Sequence, residues 1–375
     1  MKANELQTPV YIVDESKLIK NLEILQKIEK DTNAHILLAQ KAFSMFSVYP
    51  LIGKYISGAT ASGLYEAKLA YEEMGKENHV FSPAYTDSEM VNLCQICDHI
   101  SFNSLSQLEH HRIVFEKSNV KIGIRINPEF STQEGHEIYD PCAKGSRLGI
   151  CKKDLPPHLP KGVTGIHFHT LCEQGAEPLY ETVKSVEENF GTYLHEAEWI
   201  NLGGGHHITK EGYNIELLEK IITHLQKTYD LEVYLEPGEA IALDAGYLYT
   251  KVLDIVDNTM PILILDASAA CHMPDVLEMP YRPPLKDGFM PNEKKYTCKL
   301  SSRTCLAGDV IGDYSFEEMP RIDDTLIFED MAIYSMVKNN TFNGMPLPDI
   351  ALMHVDGDCE VIRHFDYSDF KNRLS

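Results

Sequence analysis

HILLAQK, residues 35–41, opens as a strand of apolar residues and ends on an ammonium group that such a strand cannot hide. It is the first of eight short apolar runs. The others are YISGATA (55–61), HVFSPA (79–84), HISFN (99–103), VKIGIRI (120–126), VTGIHFH (163–169), EWINLGG (198–204) and LEVYLEP (231–237). Helix-like stretches separate most of them, among them LYEAKLAYEEMG (64–75), SLSQLEHHRIVFEK (104–117) and NIELLEKIITHLQKTY (214–229). Strands alternating with helices imply parallel pairing through crossovers, and eight such runs fit a closed (β/α)8 TIM-type barrel better than an open sheet. An open doubly wound sheet is the alternative. It is disfavoured because no Gly-x-Gly-x-x-Gly opens a helix after any of these runs. Ahead of them, PVYIV (9–13) leads into a helix that Asp14 or Ser16 can cap, with Leu18, Leu22, Leu25 and Ile28 on one face.

From about Ala240 the texture changes. GYLYTKVLDIVD, PILILDAS, KKYTCKLSS, DTLIFED, AIYSMV and CEVIRHF are rich in β-branched and aromatic residues, with Pro, Gly, Asn and Asp between them rather than helices. The expected organisation is an α/β barrel over 12–240 and a mainly antiparallel β domain over 241–375, joined by 1–11.

The 375 residues are 43% hydrophobic and 24% charged, a globular balance with enough material for a large core. The N-terminal MKANELQTPVYIVD has no apolar leader core, and PILILDASAA is too short and polar to span a bilayer, so no membrane association and a cytoplasmic address are expected. Nine scattered Cys read as reduced thiols. CQIC (94–97) lacks a second pair to complete a zinc site, and no metal is expected. A net charge of -22 argues against a nucleic acid partner and favours cationic ligands, although an ordinary acidic surface explains it as well.

Barrel chemistry sits where strands end. The first run ends in Lys41, the second in Ala61-Ser62-Gly63, the sixth in His167-Phe168-His169, the seventh in Gly203-Gly204-Gly205 and the eighth in Glu236-Pro237-Gly238-Glu239. Each has a plain explanation alone: a snorkelling amine, or a tight turn for the glycines. Together they suit one cofactor. A lysine can condense with a phosphorylated aldehyde, a carboxylate can keep its pyridine nitrogen protonated, an imidazole can stack on the ring, and glycine N–H groups can take the phosphate. That cofactor is pyridoxal 5'-phosphate.

The chain resembles the alanine racemase-like, fold type III pyridoxal phosphate decarboxylases, the family of ornithine and diaminopimelate decarboxylases. The resemblance runs through Lys41 in AQKAF, Ser146 to Gly149, His167 to Cys172 in HFHTLC, Gly203 to Gly205, Glu236-Pro237-Gly238, Cys305 to Asp309 in CLAGD, Tyr334, and Phe342-Asn343-Gly344. It implies a barrel plus a β domain, and a homodimer whose cysteine and tyrosine loops cross between subunits. It implies Lys41, His169 and Cys305 in catalysis, Cys305 returning a proton. It also implies Tyr334, Gly203 to Gly205 and Gly238 at the phosphate, with Glu236 at the ring nitrogen. Three departures narrow the substrate: Glu239 stands where relatives commonly carry arginine, Leu306 where an acidic residue follows the cysteine, and Cys172 where a serine lies near the phosphate. With DASAACHMPD and HTLCEQ, these are similar to the branch acting on carboxylated polyamines. Glu239, Asp275 and Asp309 are the candidates for contacting that substrate. Glu239 and Asp275 would take its distal ammonium groups, with ordinary surface carboxylates as the plainer alternative. Another basic amino-acid decarboxylase, or a noncatalytic cofactor-binding relative, is the competing function.

Overall fold

The computed structural model describes residues 1–133 and 140–375. It divides into two compact units, Asn21–Ile241 and Met1–Lys20 with Ala242–Ser375. The strands of the first half are β1 (Val10–Asp14), β2 (His35–Ala39), β3 (Gly58–Ala61), β4 (Glu77–Phe81), β5 (His99–Phe102), β6 (Lys121–Asn127), β7 (Ile150–Cys151), β8 (Val163–His167), β9 (Trp199–Asn201) and β10 (Glu232–Leu235). Those of the second half are β11 (Gly246–Asn258), β12 (Met260–Leu265), β13 (Tyr296–Ser302), β14 (Val310–Phe316), β15 (Thr325–Glu329), β16 (Asp349–Met353) and β17 (Cys359–Arg363).

In the first unit β2, β3, β4, β5, β6, β8, β9 and β10 pair in parallel, and β10 returns to β2 to close the ring. The eight apolar runs are these eight strands. The crossover helices begin where side chains can satisfy their free N–H groups. Thr86 and Glu89 form a reciprocal cap on Asp87–Ile96, and Asn214 caps Ile215–Tyr229. Asp230, left-handed at φ 58°, ends the latter.

Strand periodicity sends every second residue into the barrel. The only tryptophan, Trp199, is fully buried there. A Cβ on Gly165 would lie 1.8 Å from its indole, and one on Gly123 would lie 2.4 Å away. Two strands thus carry glycine because a third carries the largest side chain, a size complementarity typical of dense interiors.

The other unit is a sheet ordered β14-β13-β12-β11-β1-β16-β17, with β15 beside β11. Only β1–β16 and β12–β13 pair in parallel; the rest is antiparallel. Asp14 Oδ1 accepts from the N–H groups of Ser16 and Lys17 and starts the helix Glu15–Thr32, whose Leu18, Leu22, Leu25 and Ile28 are all buried. The sequence expectation fails at AIYSMV, which is no strand. Ser335 N–H bonds back to Ile333 O at 2.5 Å around Tyr334, held at φ 53° and ψ -50°, and a helical turn Ser335–Lys338 follows. This γ-turn is a costly conformation for a bulky residue. Strands β14 and β16 lay outside the expected segments. Among the described residues no helix is long and apolar enough to cross a membrane.

Candidate active site

Counting inward positions up each strand leads to one cavity at the C-terminal mouth of the barrel. It is lined by Ala39 of β2 and Lys41 after it, Thr60 and Ala61 of β3 and Ser62 after it, Phe81 of β4, Arg125 of β6, His167 of β8 and His169 after it, and Glu236 after β10. Lys41, His169 and Glu236 are therefore brought together as expected from the strand ends. Arg125, Phe81 and Thr60 were missed, and His167 was named at its strand end without a role. The signal was available, since each lies an even number of residues from a neighbouring site or core position on its own strand.

Glu236 is the fixed charge of this cavity. Asn201 Nδ2 donates to its Oε1 at 2.7 Å, and His167 Nε2 lies 3.6 Å from its Oε2. Burial alone would raise this carboxyl, but His167, His79 and the Asn201 and Thr60 side chains outweigh it and hold Glu236 below the usual carboxylate range. Burial also lowers His167 to about 4 against the pull of Glu236, and neither of its ring nitrogens has a hydrogen-bond partner in the protein. The Lys41 residue is open to the mouth, yet desolvation by the surrounding walls lowers its amine. Glu236 opposes that shift and Arg125 adds to it. An amine so placed is a better nucleophile at neutral pH than an ordinary lysine. Arg125 is buried, its guanidinium 4.5 Å from the centre of the Phe81 ring and its Nη2 donating to His169 O at 3.1 Å; burial brings it down to about 10.

His169 is held by the glycine triplet. Gly204 N–H donates to His169 Nδ1 at 2.8 Å, which places the proton of the neutral ring on Nε2. Burial, with Lys41 and Arg125, keeps that ring well below its ordinary pKa. This corrects the expectation that all three glycines offer N–H groups to a phosphate: Gly203 N–H is also engaged, by Asn201 Oδ1 at 2.8 Å. Glycine is required here for close approach, because a Cβ at Gly203, Gly204 or Gly205 would come within 2.4 Å of a backbone oxygen, and Gly203 and Gly205 have φ of +70° and +81°. Glu239 accepts from, or shares a proton with, His207 Nε2 at 2.6 Å. Burial, with Glu173 and Glu239, pushes the Cys172 thiol up to about 11.

The remaining expected residues belong to the β unit. Cys305 is exposed, on the turn between β13 and β14, and its backbone N–H donates to Asn343 Oδ1 at 2.9 Å. That contact gives the Phe342-Asn343-Gly344 motif a role: it shapes the cysteine loop. Asp309 is a correction. It is buried and accepts from Ser268, Ser302 and Thr304 hydroxyls at 2.7, 2.7 and 2.5 Å and from Ala270 N–H at 3.1 Å, so its oxygens are consumed in organising the same loop. Asp275 pairs with Lys338, which also reaches Glu278 at 2.7 Å. Tyr334 sits at the γ-turn.

The family described as pyridoxal-dependent decarboxylase, C-terminal sheet domain, matches residues 10–332. The chain belongs to the pyridoxal-dependent decarboxylases. A carboxynorspermidine/carboxyspermidine decarboxylase of Campylobacter jejuni is 40% identical to this decarboxylase, covering 98% of this chain and 99% of its own. A carboxyaminopropylagmatine decarboxylase of a Synechocystis species is 39% identical over 100% and 97% of the two chains. The crystal structure of carboxynorspermidine decarboxylase from Campylobacter jejuni, complexed with norspermidine, superposes with a TM-score of 0.92 at 38% identity, covering 98% of this chain and 100% of that one.

The cavity fits the cofactor of the family on its own geometry. A lowered amine faces an ionised carboxylate across it, the buried His167 nitrogens lack protein partners, and the glycine at 204 leaves no side chain between His169 and Glu236. This decarboxylase takes pyridoxal phosphate, and Lys41 and Glu236 are the groups of this cavity suited to hold it.

Proposed function

We propose that this decarboxylase acts on carboxynorspermidine and carboxyspermidine, releasing norspermidine and spermidine as a cytoplasmic homodimer with shared active sites. The observation that carries the substrate is the end-to-end likeness to the Campylobacter jejuni enzyme, whose structure holds norspermidine. Glu239, standing where a second substrate carboxylate would want a cation, speaks against a diaminopimelate-type substrate. The Synechocystis relative supports one competing substrate, carboxyaminopropylagmatine, whose tail ends in a guanidinium. Carbon dioxide release measured across these three compounds, diaminopimelate, ornithine and lysine tests the reading. The first two should lead in kcat/KM, and equal turnover of diaminopimelate or ornithine would overturn it.

Pyridoxal phosphate, when bound, supplies an aldehyde for the substrate amine and a protonated ring that takes the electron pair left as carbon dioxide departs. Lys41 is its anchor. Glu236 holds the proton at the ring nitrogen, and His169, its tautomer fixed by Gly204, lies against the ring face. The N–H groups of Gly205 and Gly238, with the Tyr334 hydroxyl of a second subunit, hold the phosphate. Cys305 delivers a proton to the substrate Cα. Its exposure supports delivery into the site of a second subunit, on a loop that the Asp309 hydrogen bonds keep in shape. Cys305→Ala should bind cofactor normally and turn over roughly 10²–10⁴-fold more slowly. Part of its product should be an aldehyde, with the amine left on the cofactor. An unchanged product ratio removes the thiol from this step.

Glu239 and Asp275 read the distal ammonium groups, sharing charge with His207 and Lys338 respectively. A charge-assisted contact is worth about 1.5–3 kcal/mol, so Glu239→Gln and Asp275→Asn should each lower kcat/KM for the long substrates by about ten- to a hundredfold. Short diamino acids should suffer much less, and the visible cofactor spectrum should not change. Equal losses for long and short substrates would show that these carboxylates do not read the tail.

A further inference from the structure

The N-terminal end of the barrel holds a second cluster of titratable groups, none of which lines the cofactor cavity. Glu77 and His79 of β4 meet His99 of β5 there, with His35 of β2 beside them. Glu77 Oε1 lies 2.9 Å from His79 Nε2 and 3.5 Å from His99 Nδ1, and the two ring nitrogens are in direct contact. Glu77 Oε2 lies 3.2 Å from His35 Nδ1. Both His79 and His99 are buried, walled by Tyr234 and Trp199 with ring centres 4.8 Å from His79 and 4.7 Å from His99.

Counting protons exposes a conflict. Three atoms with lone pairs converge, and only the two imidazoles can bring a proton into the triangle. If both did, their N–H groups would point at each other. With one proton, at least one contact sets lone pair against lone pair: Glu77 with His99, or Glu77 with His79. The other nitrogen of His99 has no partner in the protein, so nothing elsewhere fixes its tautomer. A cation at the centre removes the conflict at every edge and also neutralises a poorly solvated carboxylate.

We propose that Glu77, His79 and His99 form a binding site for a divalent ion of the zinc class at the base of the barrel. Two imidazoles and a carboxylate are a zinc donor set, and bonds of about 2.0–2.2 Å in tetrahedral geometry put donors roughly 3.3–3.5 Å apart. The observed separations of 2.9 and 3.5 Å bracket that edge, and the two imidazoles move apart to meet it. His35 holds the second oxygen of Glu77 as an outer partner. Lying at the end of the barrel opposite the catalytic mouth, the ion is structural. The sequence expectation was no metal; Glu77 and His79 lie two residues apart on one strand, but the third donor, His99, comes from the next strand, so no short motif announces the set. Among the described residues, Asp87, His110 and His111 form another such group, but two of its members are exposed and His111 Nε2 already faces Tyr85 O at 3.2 Å.

The full-length holoenzyme, stripped with a chelator and titrated with zinc chloride by calorimetry, should take up one tight equivalent. Glu77→Gln and His99→Asn should each weaken that uptake at least about tenfold, while His110→Ala leaves it unchanged. Since core variants can misfold, crystals of the parent grown with zinc chloride should show an anomalous peak above the zinc edge within bonding distance of all three residues. No peak there, or equal uptake by correctly folded Glu77→Gln and parent protein, would mean a hydrogen-bonded network only and sink the proposal.

Discussion

Lys41→Ala should lose covalent cofactor and nearly all activity. Borohydride treatment of the parent should fix a cofactor label on the peptide containing Lys41, and the variant should carry none. The expected fall in kcat/KM is at least about a thousandfold, the scale seen when a covalently acting group is removed. The walls that desolvate this amine make the result sharp, because among the described residues no other lysine lines the cavity to take its place. A variant labelled as strongly as the parent would refute the central assignment.

Glu236→Gln should separate chemistry from binding. Asn201, itself fixed by Gly203 N–H, holds the carboxylate's position, so a glutamine of the same shape can occupy it while removing the charge. The cofactor should remain on Lys41, and kcat should fall about 10²–10³-fold or more, as when a preorganised electrostatic partner is lost. The loss should be equal for long and short substrates, in contrast to the Glu239 and Asp275 variants. A selective loss would move Glu236 from the ring nitrogen to the substrate tail.

The barrel was legible because its eight strands are short, apolar and separated by amphipathic helices, so local periodicity and global topology agree. Lys41, His169 and Glu236 were legible for a related reason: each is a costly residue at the end of such a run. Arg125 was not, since a mid-strand polar residue gives no end signal and becomes visible only when inward positions are counted across neighbouring strands. The glycine triplet misled in a specific way. Three adjacent N–H groups suggested an anion site, but two are consumed, one by Asn201 two residues back and one by His169, remote in sequence. Asp309 misled likewise, because its four donors come from Ser268, Ala270, Ser302 and Thr304, which the fold alone assembles. AIYSMV failed where β propensity met a strained turn at Tyr334.

Trp199, wedged against Gly123 and Gly165, gives the protein a built-in spectroscopic reporter. Because the chain has one tryptophan, its emission near the red end of the protein band comes from the barrel alone, whereas far-ultraviolet circular dichroism sums both units. Coincident melting curves from the two signals would mark a single cooperative transition; a gap between them would resolve barrel and sheet as separately unfolding bodies without any added label.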